Sequence, residues 1–317
     1  MAKANGYIKV HGAEYTTIKS IVVYSDDADM VATPVLSASA NVVNVIPGGS
    51  ADDDAVITSY YTTNGDDPTA NSTPVENYQI VLSPGTSTVK VISYNATTST
   101  ASSVESIEVV VPSSISTTIT TYGYASFSSN YALDFTSVNN AEAYIATSKN
   151  GNSIRTQKVT GTVAAGTGLI LKSTNGGAAD VTIPVTSETG TYYNTQTDPV
   201  NYLFAINSDY DLIKADEGTN YVLSVQTIDE TEKVVFAPIG ETTSAPVKAG
   251  QAGLWLPASS GEAYALTLFF SEDVTGINTV KTNNPQAGKV YYNLQGQRVS
   301  EPKQGIYVVE GKKVLVK

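Results

Sequence analysis

No cysteine occurs among the 317 residues, and histidine and tryptophan occur once each. A disulfide framework, a thiolate zinc site and a cysteine nucleophile are therefore excluded. Any Ser-His-Asp arrangement would have to use His11. No Gly-X-Ser-X-Gly elbow is present to supply its nucleophile. Charge is scarce as well: Asp, Glu, Lys and Arg make up 15% of the chain, against about 25% in typical globular proteins. The charge that remains is acidic, with a net value of −12. Nucleic-acid binding needs clustered Lys and Arg, so that class of partner is excluded. No apolar run approaches the ~18–20 residues of a membrane-spanning helix. No glycine-rich phosphate loop stands before a helical segment, since Gly123, Gly166 and Gly168 do not make one. Amphipathic helices are missing too, because no window of about a dozen residues carries an apolar period of 3.6.

The chain is rich instead in Ser, Thr, Asn and Gly, with 20 Tyr and 41% hydrophobic residues. Short β-branched and aromatic runs, punctuated by Gly, Asn, Asp and Pro, extend along its whole length. The expected class is all-β, with several units in series. Residues 1–32 hold two strand-like runs, Tyr7 to Val10 and Ile18 to Tyr24, with no partners of their own. Two strands alone are marginal, so this stub is read as the closing strands of a preceding module. Residues 33–112 form a first unit, 113–274 a larger β-domain and 275–317 a small C-terminal β-unit. Asn64-Gly65 is expected to close a two-residue hairpin, and Pro84-Gly85 a second turn. Ser113 to Thr118 reads as a linker. Within the large domain, Val163-Ala-Ala-Gly166 echoes Val247-Lys-Ala-Gly250, their glycines 84 residues apart. The echo suggests a duplicated unit, and matching the strands that follow requires one inserted residue.

Three stretches resemble known families. Tyr60-Tyr-Thr-Thr-Asn-Gly-Asp-Asp-Pro-Thr69, followed by Gly85-Thr-Ser-Thr-Val-Lys-Val-Ile92, resembles the chitobiase/hexosaminidase C-terminal-like family. That resemblance implies an immunoglobulin-like β-sandwich acting as a spacer or accessory module, without glycosidase chemistry of its own. Tyr131 to Phe135, Ala141 to Ile145 and Ala165 to Gly168 are similar to a recurrent β-domain of secreted Bacteroidales proteins. The tail closely resembles the C-terminal secretion and sorting domains of Bacteroidetes. It does so through Tyr292-Asn-Leu-Gln-Gly296, Gly305-Ile-Tyr-Val-Val309 and Lys313-Val-Leu-Val-Lys317. The resemblance makes Tyr292, Gly296, Gly305, Tyr307, Lys313 and Lys317 the sorting motif and the secretion machinery its partner. It also implies a secreted or outer-membrane-surface location. Pro302-Lys-Gln-Gly305 is longer than the family's usual Pro-x-Gly spacing.

Of the remaining candidates for chemistry, the acidic groups Asp26-Asp27-Ala28-Asp29, Asp52 to Asp54 and Asp66-Asp67 offer oxygen ligands. Calcium is the metal such loops would hold, with Asp26, Asp27 and Asp29 as its ligands, although solvated acidic turns explain the same residues. No other cofactor is expected. Of the 30 acids, no pair stands out as a glycosidase couple. Trp255, Tyr60, Tyr61, Tyr122, Tyr124, Tyr192 and Tyr193 could stack on sugar rings, but tyrosine also suits strands. Trp255, inside Gly253-Leu-Trp-Leu-Pro257, reads as core. The expected function is non-catalytic: an adhesin-like surface protein whose β-modules present an upstream domain, with glycans or host surface proteins as partners. The alternative is the accessory, carbohydrate-binding region of a glycan-degrading enzyme.

Overall fold

The computed structural model describes residues 30–50, 55–258, 264–270, 290–293, 296–300, 302–309 and 312–316. The fold is all-β, and no α-helix occurs among the described residues. Asp26, Asp27, Asp29 and Lys317, like the stub strands of residues 1–29 and the acids 52–54, lie outside them. No described helix is long and apolar enough to cross a membrane.

The first unit comprises β1 (Val35–Ser39), β2 (Val42–Ile46), β3 (Ile57–Thr62), β4 (Thr73–Pro74), β5 (Gln79–Val81), β6 (Gly85–Asn95), β7 (Thr100–Ala101) and β8 (Glu105–Val111). One sheet runs β1-β2-β5, and the other is built on β6, which pairs with β3, β7 and β8. Strand alternation sends Val43, Val45 and Ile80 from the first sheet, and Val89, Val91 and Val109 from the second, into one core. The arrangement is a β-sandwich. Asn64-Gly65 does not close the expected hairpin. Asn64 Oδ1 accepts from the Asp66 amide at 3.1 Å, making an Asx turn, and β3 pairs with β6 and β4 instead. Pro84-Gly85 carries the chain from one sheet to the other, between β5 and β6.

The larger domain comprises β9 (Ser114–Ile119), β10 (Tyr124–Phe127), β11 (Leu133–Asp134), β12 (Ala141–Asn150), β13 (Ser153–Val159), β14 (Thr162–Val163), β15 (Leu169–Ser173) and β16 (Ala179–Pro184). It continues with β17 (Leu203–Ala205), β18 (Tyr210–Leu212), β19 (Thr219–Ile228), β20 (Thr231–Pro238), β21 (Ala245–Val247), β22 (Ala252–Leu256) and β23 (Leu266–Phe270). The stretch expected as a linker is strand β9, antiparallel to β16 from Ser114↔Pro184 to Ile119↔Ala179. Its Ile115 and Ile119 fall on one side of the strand, which gives it an apolar face to bury.

Nine strands form one sheet in the order β10-β15-β12-β13-β23-β20-β19-β22-β17. Around β23 this order is a palindrome of two equivalent halves. β10-β15-β12-β13 repeats as β17-β22-β19-β20, and the pair β11·β14 repeats as β18·β21. The registers repeat as well. Phe127↔Leu169 recurs as Phe204↔Gly253, Leu133↔Val163 as Tyr210↔Val247, and Ala143↔Leu171 as Asn220↔Trp255. Each step is 77 residues on one strand and 84 on its partner. The 84-residue echo of Gly166 and Gly250 is thus a true repeat, and it holds without the inserted residue expected from sequence. Both glycines adopt positive φ, and their amides donate to equivalent carbonyls, those of Ser129 and Ile206.

The sheet curls until its ends meet. Ser128 Oγ donates to the Gln251 carbonyl at 2.6 Å, and Thr167 bridges Phe204. Buried Asn201 ties the seam: Oδ1 accepts from the amides of Ala146 and Leu203, and Nδ2 donates to the Gly168 carbonyl. Tyr144, Tyr221, Phe236 and Phe270 fill the interior.

The tail comprises β24 (Tyr291–Tyr292), β25 (Arg298–Val299), β26 (Gly305–Val309) and β27 (Lys312–Val316), in the sheet order β25-β24-β26-β27. Tyr291, Val309 and Val316 make a small core of their own.

Candidate functional site

The two repeats differ in what covers their outer faces. In the first, β9 and β16 close over the sheet, so Leu133, Phe135, Ala143 and Leu171 share a core with Ile119, Val181 and Ile183. In the second, the strand that follows β22 is β23, which enters the sheet between β13 and β20 instead. Among the described residues, no β9·β16 counterpart covers the second outer face. Of the described residues, a small cluster of Ile206, Leu212 and Val247 is buried there. A cleft opens on this face, with a volume of about 640 Å³, inside the ~300–1,000 Å³ range usual for small-ligand sites.

Residues that the first repeat buries are replaced here by polar or amphipathic ones. Leu171 corresponds to Trp255, Ala143 to Asn220 and Leu133 to Tyr210. Trp255 is accordingly a partly exposed wall of the cleft, not the core residue its apolar flanks suggested. Leu254 and Leu256 on either side of it point inward. Its indole is anchored by Nε1, which donates to the Glu217 carbonyl at 2.9 Å. Gly218, at φ +77°, lies against that indole, and a Cβ there would sit 2.3 Å from the Leu256 carbonyl oxygen. Phe204 lies across Gly253, its register partner, whose missing side chain makes room for the ring. Tyr202 and Tyr210 complete the wall from the strand side, and Tyr192 and Tyr193 from the segment joining the repeats.

The polar groups of the cleft are four amides, the Thr195 hydroxyl and the hydroxyls of its tyrosines. Asn201 is spent on the seam. Asn194 Oδ1 accepts from the Gln196 amide at 2.7 Å. Asn220 Nδ2 donates to the Ile213 carbonyl at 3.0 Å. Asn207 is exposed at the rim. None of the described lining residues is an acid, a lysine, an arginine or a histidine. The nearest perturbed group, Tyr221, points the other way into the interior, where burial raises its hydroxyl pKa.

The structure brings together Trp255, Tyr192 and Tyr193 of the aromatic residues singled out in the sequence, and separates the rest. Tyr60 packs edge-on against Tyr94, and Tyr61 lines a shallow groove of the sandwich. Tyr124 stacks on Phe270, and the Tyr122 hydroxyl donates to Glu232 at 2.9 Å. Tyr202, Phe204, Tyr210 and Asn220 escaped the sequence reading. For Tyr202, Tyr210 and Asn220 the repeat was the available signal, since aligning the halves puts an aromatic or an amide where the other half has Ala or Leu, whereas Phe204 answers to Phe127 and differs only in facing Gly253 where the first half has Leu169.

Asp66 hydrogen-bonds Asn64, and Asp67 pairs with Lys90 at 2.7 Å. No group of three metal-ligating side chains occurs among the described residues. In the tail, Tyr292 and Lys313 are exposed, and Tyr307 packs edge-on against Tyr291 at 6.0 Å. Gly296 turns the chain at φ +81°, and Gly305 opens β26. No protein-family model, curated protein or solved structure matches the chain.

Proposed function

We propose that this chain is a non-catalytic, extracytoplasmic binding and display protein, and that the cleft of its second repeat takes a carbohydrate. The observation that carries the reading is the lining of the cleft: aromatic faces and amides, with no charged side chain among the described lining residues. Aromatic rings offer flat apolar surface with polar edges, which suits a ring bearing C–H groups on its faces and hydroxyls around its rim. General acid–base or nucleophilic catalysis would need an ionisable pair in reach of the ligand, and the lining offers none. The geometry therefore favours a carbohydrate-binding accessory region over a purely structural surface protein.

Display rests on other support. The sandwich core runs on into the covered outer face of the first repeat, through Val111, Ile119 and Val181, so the two are packed as one body. The tail is a separate small sheet with its own core, and its resemblance to Bacteroidetes sorting domains supports a role in export or surface retention.

Trp255 is the single tryptophan, so its fluorescence reports on the cleft directly. The test is a glycan-array screen of the full chain, followed by fluorescence titration of the hits. Saturable binding that changes Trp255 emission is the expected result. An array without a hit would remove the carbohydrate reading and leave display alone.

A further inference from the structure

The geometry points to Asn220 as the residue that selects the ligand of this cleft, and to a neutral sugar as that ligand. The ring lies on Trp255 and donates one of its hydroxyls to Asn220 Oδ1. The inference rests on the carbohydrate reading above and narrows it.

Asn220 and Trp255 are direct cross-strand partners on β19 and β22, so the amide stands beside the indole. The amide cannot present either end at will. Its Nδ2 donates to the Ile213 carbonyl at 3.0 Å, and rotating the group would set two carbonyl oxygens against each other. Oδ1 is therefore held as an acceptor, and an acceptor is satisfied by a donor hydroxyl. Trp255 is fixed in turn by the Glu217 carbonyl and by the flat backbone of Gly218. Two recognition elements, a plane and an acceptor, are thus in place before any ligand arrives.

The first repeat is a control built into the molecule. At the same positions it has Ala143 and Leu171, and the same strands form in the same register. The fold does not require an amide or an indole there.

Charge narrows the ligand further. A uronate or sulfated ring would bring an anion among aromatic walls with no cation among the described lining residues to pair it, on a protein of net charge −12. Burying an unpaired charge is costly, so anionic sugars are rejected.

The experiment uses the full chain and matched probes: neutral hexose trisaccharides of gluco, galacto and manno configuration, and the uronate trisaccharide of each. Trp255 fluorescence and calorimetry are read in parallel. At least one neutral probe is expected to bind, with its uronate at least about tenfold weaker. Asn220→Ala, the first repeat's residue, is expected to weaken the neutral probe about three- to tenfold, the worth of one hydrogen bond. Trp255→Leu, read by calorimetry, is expected to lose about thirtyfold or more, as for a tryptophan hot spot. Melting temperatures are measured alongside. Should Asn220→Ala fail to fold, Asn220→Gln keeps an amide but moves its oxygen, and the same loss is expected. Uronates bound as well as neutral sugars, or an Asn220 variant that binds like the parent, would overturn the inference while leaving the carbohydrate reading intact. Absence of any saccharide binding would overturn both.

Discussion

Replacing Gly218 by alanine tests whether the cleft is held together as described. Gly218 has φ +77°, a left-handed conformation that costs an L-residue about 1–2 kcal/mol. The added Cβ would lie 2.3 Å from the Leu256 carbonyl oxygen and 3.0 Å from Trp255 Nε1. The first neighbour is backbone of β22 and cannot swing aside, so the 217–218 peptide or the strand must move. Either shift breaks the hydrogen bond from Trp255 to the Glu217 carbonyl, worth about 1 kcal/mol. The stiffer unfolded chain returns about 0.4–1 kcal/mol. The net expectation is a loss of about 2 kcal/mol. Gly151→Ala is the control: φ is +56° there and no atom lies within 4 Å of the added Cβ, so it carries the conformational cost alone, about 1 kcal/mol or less after the same return. Urea unfolding followed by Trp255 fluorescence measures both, with unchanged m-values confirming comparable transitions. A Gly218→Ala variant no less stable than Gly151→Ala would refute the argument that packing against Trp255 is what makes glycine necessary at 218.

Asn201→Ala should be among the costliest single changes in the duplicated domain. It strands the buried amides of Ala146 and Leu203 and the Gly168 carbonyl at the seam, an expected loss of about 2–4 kcal/mol by chemical denaturation. Glu142 gives a pH dependence. The hydrogen bond from Lys158, and after it that from the Tyr144 hydroxyl, lowers its pKa below the ordinary 4.5 despite partial burial. A carboxyl lowered in this way contributes stability that is complete above the unfolded value and lost as pH falls through the folded one. Because the pair is partly exposed, Glu142→Gln should remove only about 0.5 kcal/mol of the stability lost between pH 5 and pH 3, seen as a flatter melting-temperature profile in acid. Deleting residues 285–317 should leave both larger units folded by circular dichroism and abolish surface display in the native host. Display by the truncated protein would end the sorting assignment.

The strand content was legible because its cause is local: alternating β-branched and aromatic residues between turn formers. The duplication was legible at Gly166 and Gly250, where both copies need the same left-handed turn. Beyond that turn the eye aligns Gly-Leu-Ile-Leu with Gly-Leu-Trp-Leu and invents an insertion, whereas the backbone pairs Leu169 with the position of Gly253. That one-residue difference decides the face of Trp255, because neighbouring strand residues point to opposite sides. Asn220 and Tyr210 were hidden for another reason: their strands repeat at 77 residues and not at 84, so the echo of the glycines does not reach them. Ser113 to Thr118 reads as a linker because its apolar residues are sparse, and only the partner strand β16, about 65 residues on, makes a strand of it. The openness of the cleft has no local signature, because it follows from β23 joining the sheet and not covering it.

The position of β23 also governs the order in which the molecule can be completed. It is the centre of the nine-stranded sheet, yet it is the last of the nine in the chain. Its parallel partner β13 lies about 110 residues earlier, Ser153 meeting Thr267. Pairings of such long range close slowly, because the loop entropy is paid before the contacts form. Until residues 266–270 have been synthesised, β13 and β20 each present an unpaired edge. Neither repeat can reach its final state alone, so expression of a single repeat should give a molecule with an open, association-prone strand edge. A chain emerging from a ribosome thus stays unlocked until residues 266–270 are out, and then closes around one late strand.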